Sequence, residues 1–376
     1  MEIYLDNAST TALDDEVFEL MLPYMKKYYG NASSGHSLGE ISAIALNESK
    51  YKISELLNCN PNEIYFTSGG SESNNWAIKG IAEANIDRGN HIITSQIEHK
   101  SVLSSCKYLE EKGYDVTYLP VDKNGIVSLE ALKKAITKKT ILISIMSANN
   151  EIGTLQPIDE ISEIAFEHNI FFHTDAVQAI NRIPSLIDSK IDLLSLSAHK
   201  FSGPKGIGIL YVRKNTPITP YIHGGFQQNG LRAGTENIAN IVGAKAALEK
   251  SFANRRHKEK YVKELKNLFI SKIKHQIPGV IFNSPQYSCL SNMISIQFKT
   301  IDAIKLVTCL NNRGIYVSNG AACNCNLKGP SHVLKAIGLS DEEALSSVRI
   351  SLGYNNTEED ILSVVAVITQ ELKTLS

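Results

Sequence analysis

Apolar positions along the chain fall into short, nearly continuous runs separated by stretches with helical spacing. Ile64-Tyr65-Phe66-Thr67 reads as a strand that ends in the small-residue turn Ser68-Gly69-Gly70, and His91-Ile92-Ile93-Thr94 reads as another. Val116-Thr117-Tyr118-Leu119, the run 141–146, Ile170-Phe171-Phe172-His173, Leu193-Leu194-Ser195-Leu196 and Gly208-Ile209-Leu210-Tyr211-Val212 bring the set to seven. Runs without polar alternation suit strands covered on both faces. Between them, Val17, Leu20, Met21 and Tyr24 recur at helical spacing behind the acidic pair Asp14-Asp15, which favours a helix start. This alternation predicts an α/β domain on a mostly parallel seven-stranded sheet.

The pattern changes near residue 250. Residues 249–266 are dense in Lys, Arg and Glu and predict one long, solvated helix, whose charges form either an ordinary exposed face or a docking surface. Beyond it the pattern is mixed. Thr357, with Asp360 three residues on, predicts a capped helix that sets Ile361, Val364, Val365 and Ile368 on one face. The expected organisation is a large α/β domain over residues 12–254 and a smaller α+β domain made of residues 1–11 and 255–376.

Composition narrows the function classes. With 376 residues and 43% hydrophobic content the chain is long enough for two packed cores. A formal net charge of −1 gives no global reason to expect nucleic acid or an anionic membrane as partner. No apolar run reaches the about 18 residues of a membrane helix, and the first residues lack the basic and apolar regions of a signal peptide. A cytoplasmic protein is expected. Cys59, Cys106, Cys289, Cys309, Cys323 and Cys325 do not read as a disulfide framework in such a chain. Most suit small buried positions, but Cys323 and Cys325 lie in a polar, glycine-flanked segment.

Several strand ends carry chemistry. Ser195-Leu196-Ser197-Ala198-His199-Lys200 runs into the glycine-rich turn 203–208. A lysine there is either a surface turn residue or a desolvated amine suited to Schiff-base chemistry. Asp175 ends the apolar run Phe171-Phe172-His173-Thr174, as a helix cap or as a carboxylate that keeps a pyridinium nitrogen protonated. Thr67-Ser68-Gly69-Gly70-Ser71 is a capped helix start or a phosphate site, with neither P-loop nor dinucleotide spacing. His99 follows a strand, where it is structural or else a proton carrier stacked on a ring.

Taken together and in order, from Tyr4-Leu5-Asp6-Asn7-Ala8-Ser9-Thr10-Thr11 to Ser346-Ser347-Val348-Arg349-Ile350-Ser351-Leu352-Gly353, these elements resemble the cysteine desulfurases among the fold-type I pyridoxal-phosphate enzymes. The resemblance implies pyridoxal 5'-phosphate as cofactor and L-cysteine as substrate. It implies Lys200 as the lysine joined to the cofactor, Asp175 at the ring nitrogen, Gln178 at the ring hydroxyl and His99 stacked on the ring. Asn150 matches the asparagine near cofactor and substrate, and Gly70, Ser71, Ser197 and His199 match the phosphate cradle. Thr235 matches a phosphate contact given across a homodimer interface. Arg349 matches the clamp on the substrate carboxylate. Asn31 lies in a segment that resembles the substrate-side loop, although Ala32 replaces the usual proline.

Cys323 matches the catalytic cysteine, and the stretch to Pro330 resembles the longer catalytic loop of one subgroup, placed in the small domain. The implied reaction removes sulfur from L-cysteine, giving L-alanine and a persulfide on Cys323 that passes to a sulfur-acceptor protein, an Fe–S scaffold or a thiolation enzyme. Cys323 attacks as thiolate, with His99 the candidate for assisting its deprotonation. Cys325 departs from the pattern and leaves three readings open: an inert thiol, a receiver of sulfur or disulfide partner of Cys323, or a ligand during cluster handover. Two cysteines do not make a four-ligand site, and no resident metal is expected. The alternatives are selenocysteine lyase or another pyridoxal-phosphate lyase and, from another class, a non-catalytic Fe–S assembly scaffold.

Overall fold

The computed structural model describes residues 2–180, 190–299, 301–319 and 329–375. The strands are β1 (Ile3–Tyr4), β2 (Ile64–Thr67), β3 (His91–Ser95), β4 (Asp115–Leu119), β5 (Thr140–Ser144), β6 (Phe171–Asp175), β7 (Leu193–Ser197), β8 (Gly208–Val212), β9 (Ile281–Phe282), β10 (Met293–Gln297), β11 (Ile315–Tyr316) and β12 (Ser347–Ser351). Seven of them form one sheet in the order β2-β8-β7-β6-β5-β3-β4. β8 runs antiparallel to both its neighbours, and every other pairing in the sheet is parallel. This is the mostly parallel seven-stranded sheet that the alternating pattern predicts.

Period-two side-chain alternation sends neighbouring apolar residues to opposite faces of this sheet. Ile93, Leu194 and Ile209 enter a cluster with Val17, Ile53, Ile164 and Leu248, whereas Ile92, Leu193 and Leu210 enter one with Trp76, Ile81, Val102 and Leu109. Helices therefore cover both faces, and the strands need no polar side. β2 and β7 both oppose β8, so β2, β3, β5, β6 and β7 all point the same way. Their carboxyl ends, at Thr67, Ser95, Ser144, Asp175 and Ser197, line one edge, the edge at which open α/β sheets bind ligands.

A second core gathers Ile3, Leu5, Val262, Phe269, Ile296, Ile350 and Val364. β10 pairs antiparallel with β9 and β12, and β1 pairs parallel with β11. The amino-terminal residues thus belong to the second core, and just beyond them Thr11 donates its amide to the His199 carbonyl at 2.9 Å, against the first. The terminal helix Glu358–Leu375 starts as expected: the Thr357 amide donates to Asp360 Oδ2 at 2.9 Å and the Asp360 amide to Thr357 Oγ1 at 3.1 Å.

The structure departs from the sequence reading in three places. The single helix expected over 249–266 is two: Ile238–Phe252 ends, Asn254 turns the chain at φ 55°, and Arg255–Gln276 begins. The second of these buries Val262, Leu265, Phe269 and Ile273, so it is not solvated all round. Leu20, placed on the buried face of the first helix by spacing, is 50% exposed, while Val17 and Met21 are buried. The apolar run 141–146 overshoots its strand, since β5 ends at Ser144 although Ile145 and Met146 stay buried. Among the described residues no helix is long and apolar enough to cross a membrane.

Phe269 is fully buried in the second core. Phe269→Ala is expected to destabilise that core by about 3–5 kcal/mol through lost burial and the cavity left behind, measured as a shift in denaturant-induced unfolding.

Candidate active site

The carboxyl edge of the large sheet opens into a cavity of about 390 Å³. Gly70, Ser71, His99, Asn150, Asp175, Gln178, Ser197, His199, Lys200 and Arg349, all singled out from the sequence, line it together. Asn31 and Thr235 do not: both lie exposed on the surface of this chain, and Asn31 Oδ1 accepts the Ser33 amide at 2.9 Å. Cys323 and Cys325 lie outside the described residues.

One wall is the amino-terminal segment. Lys200 Nζ donates to the carbonyls of Ala8 at 2.6 Å and Ser9 at 2.8 Å, and Gln178 Nε2 donates to the same Ala8 carbonyl at 2.8 Å. Lys200 reaches there from a short 3-10 turn, Ala198–Lys200, that follows β7 directly. His199 Nδ1 lies 3.1 Å from Thr10 Oγ1. Burial pulls the His199 imidazole down to about 4, helped by the Lys200 and Lys205 charges, so it stands neutral.

A helix start also lines the cavity. The helix Gly70–Ala84 starts at Gly69, at φ 154°, without a side-chain cap, so its first amide groups keep their hydrogen-bonding capacity. A Cβ on Gly70 would stand 2.8 Å from Val177 Cγ2, so only glycine leaves this approach open.

Asp175 sits at the base, 6% exposed. Its Oδ1 accepts the Val177 amide at 3.0 Å and its Oδ2 accepts Asn74 Nδ2 at 2.7 Å. Asn74 Nδ2 also donates to Ser101 Oγ at 2.9 Å, and Ser101 Oγ is 2.8 Å from His99 Nδ1. The Asn74 carbonyl oxygen is buried with no hydrogen-bond partner among the described residues, an orphan acceptor at the cavity wall.

Arg349, on β12, is 2% exposed. Its Nη1 donates to the Asn150 carbonyl at 2.9 Å, and its Nη2 to Asp6 Oδ1 at 2.7 Å and Ser9 Oγ at 2.6 Å. Beside it, Glu151 accepts a hydrogen bond from Ser331 Oγ, and burial raises its carboxyl to about 7. Behind the cavity, Glu98 accepts Ser95 Oγ at 2.6 Å and the Met146 amide at 3.0 Å, and burial pushes its carboxyl up to about 8. His332 lines the cavity, and burial lowers its imidazole.

Asn74, Ser101, Glu151, His332 and Asp6 were not singled out as site residues by sequence reasoning. Asn74 left one signal: a polar residue on the face of its helix that Ala77, Ile78 and Ile81 also bury. The others carry none, because their roles come from packing between distant segments.

The aminotransferase class-V family model matches residues 3–364. The cysteine desulfurase IscS of Methanosarcina thermophila is 50% identical over 380 residues, covering 100% of this chain and 93% of the relative. A solved NifS-like protein superposes with a TM-score of 0.94 at 40% identity, covering 100% of both chains. A solved structure of SspA in complex with cysteine superposes at 0.82 with 40% identity, over 94% of this chain and 100% of that one.

The buried acids set a pH dependence of stability. A folded-state carboxyl held at about 8 keeps a proton that the unfolded chain releases near the ordinary carboxylate value. Its stabilisation is complete in acid and is lost as the pH rises toward 8. Glu98→Gln removes this titration, so its unfolding free energy is expected to fall less than the wild type's between about pH 5 and 8, measured by denaturant titration at both ends.

Proposed function

This chain belongs to the cysteine desulfurases of the aminotransferase class-V family, and from that premise we propose how its residues divide the work. Pyridoxal 5'-phosphate is its cofactor, and the ten expected residues that share one cavity carry this reading. The cavity fits the group at each end: an uncapped helix start with a glycine cradle for the phosphate, and a buried carboxylate for the ring nitrogen. When bound, the cofactor supplies an electron sink for charge developing at the substrate Cα.

In this reading Lys200 would hold the cofactor covalently, and its amine is the group that would carry the Cα proton. Gly70, Ser71, Ser197 and His199 cradle the phosphate, with Thr235 added from a second copy. Asp175 keeps the ring nitrogen protonated, Gln178 donates to the ring hydroxyl, and His99 stacks on the ring. Arg349 and Asn150 orient the substrate carboxylate, with Asn31 on the substrate side. Arg349 is suited to this by burial in the cavity wall, where a guanidinium pairs strongly with an incoming carboxylate.

Cys323 is the proposed nucleophile. Its thiolate attacks the sulfur of the bound cysteine, a new S–S bond forms as the Cβ–S bond breaks, and the products are alanine and a Cys323 persulfide. The described residues on either side of its segment support this. The Ser318 amide donates to the Arg349 carbonyl at 3.1 Å, and Ser331 donates to Glu151, so both flanks are fastened at the cavity. Cys59 and Cys106, whose thiols burial pushes up to about 12, are poor competitors for this role.

Homodimeric assembly is proposed as well. Thr235 lies exposed outside its own cavity, and Phe226 in the same loop region is 94% exposed. Residues 12–254 are proposed as the large cofactor domain, and 1–11 with 255–376 as the small one, which the separate apolar clusters favour. A cytoplasmic site of action suits the thiols Cys59, Cys106, Cys289 and Cys309, which are all free. The persulfide would pass to a sulfur-acceptor protein, an Fe–S scaffold or a thiolation enzyme, with Cys325 a relay on the way.

The test follows cofactor absorbance and sulfide release from cysteine in the purified holoenzyme. Lys200→Ala is expected to lose the absorbance band of the covalently held cofactor. Cys323→Ala is expected to keep the band and lose sulfide release. Full sulfide release by Cys323→Ala would overturn the nucleophile assignment, and an unchanged band in Lys200→Ala would overturn the lysine's.

A further inference from the structure

We propose that Ser101 and Asn74 are positioning residues that lock His99 in the tautomer protonated at Nε2 and tie it to Asp175. Donors and acceptors along the chain of contacts fix the tautomer. Turning the Asn74 amide over would set its carbonyl oxygen against Asp175 Oδ2, at the 2.7 Å where an N–H now lies. Asn74 therefore donates to Asp175. Its second N–H goes to Ser101 Oγ at 2.9 Å, which makes that oxygen an acceptor. The single hydroxyl proton of Ser101 is then available for His99 Nδ1, 2.8 Å away.

The backbone agrees. The Ser101 amide also donates to His99 Nδ1, at 3.1 Å, because His99 caps the helix Lys100–Glu110 through this ring nitrogen. Nδ1 is met by two donors, so it carries a lone pair and the neutral ring holds its proton on Nε2. A proton on Nδ1 would oppose the Ser101 amide and turn the Ser101 hydroxyl proton away from the ring.

The relay is protected from water, with Asn74 at 1%, Asp175 at 6% and Ser101 at 8% exposure. In such surroundings a hydrogen bond is strengthened, and a donor turned away from its acceptor is costly. The four residues come from the end of β6, two helices and the turn after β3, and Asn74 and Ser101 are the links from Asp175 to His99. The ordering makes His99 a group that presents an N–H donor from Nε2, with its accepting nitrogen turned to Ser101. The link between the two groups through the cofactor site rests on the roles proposed above for Asp175 and His99; the tautomer does not.

The experiment uses protein labelled with ¹⁵N-histidine, both cofactor-free and loaded, with His99 assigned by His99→Gln. Nδ1 is expected to show the unprotonated signature and Nε2 the protonated one in both forms. Ser101→Ala is expected to let the two tautomers exchange, to shift the absorbance maximum of the bound cofactor, and to lower kcat by roughly tenfold with KM for cysteine little changed. Ser101→Thr, which keeps the hydroxyl, should restore all three. A protonated Nδ1 in the wild type overturns the proposal, as does a Ser101→Ala protein whose tautomer and spectrum match the wild type's. Asp175→Asn separates the two readings: a cofactor spectrum that ignores this change defeats the role of Asp175, while the histidine signals still decide the relay.

Discussion

A guanidinium that is 2% exposed cannot be left without a counter-charge, and Arg349 meets this need through Asp6. Removing one member of such a pair strands the other at a cost of several kcal/mol, so the geometry is held firmly. The pair is also what gathers the site. Arg349 belongs to β12 of the second core, Asp6 to the segment that follows β1, and the Asn150 carbonyl it also holds lies beyond β5 of the large sheet. Three distant parts of the chain therefore converge on one side chain. The segment beyond Asp6 then lies in a fixed place, and Ala8 offers its carbonyl to Gln178 and Lys200 together.

The remaining charges are treated the same way. Where a group has a partner, as Glu72 has in Arg232 at 2.8 Å, the carboxyl stays below its ordinary range despite burial. Where it has none of opposite charge, burial drives it to the neutral form: His173 falls to about 3 between Ser144 and Ser195, and Glu98 rises to about 8. His173 and Glu98 thus shed their charge for want of an ionic partner. This suits a cavity whose incoming groups are themselves a phosphate and a carboxylate, since stray charge on the walls would be strengthened by the low local dielectric.

Much of this was legible in the sequence, for identifiable reasons. Strands buried on both faces leave continuous apolar runs, so β2 and β8 read correctly to the residue. The strand ends were harder: the apolar run 141–146 continues past β5, which stops at Ser144 while Ile145 and Met146 stay buried beyond it. Asn254 was invisible for a different reason: a left-handed turn inside a run of charged residues does not interrupt its composition. The residues that touch the cavity directly sit at strand ends and carry unusual chemistry, which is why Lys200, Asp175 and His99 stood out. Ser101 and Glu151 support them through partners 27 and 180 positions away, a relation that spacing along one chain does not encode.

That difference in legibility has a physical meaning. A strand end is local: its neighbours in sequence fix where the side chain points. A supporting polar residue is defined by whichever segment packs against it, and it is specified only when the whole fold is in place. The Asn74 amide illustrates this, since one nitrogen serves a carboxyl on β6 and a hydroxyl on the helix after β3. Burying that amide without both partners would cost more than the contact returns. The fold must therefore bring Asp175 and Ser101 to the same nitrogen, and in doing so it fixes the spacing between the Asp175 carboxyl and His99.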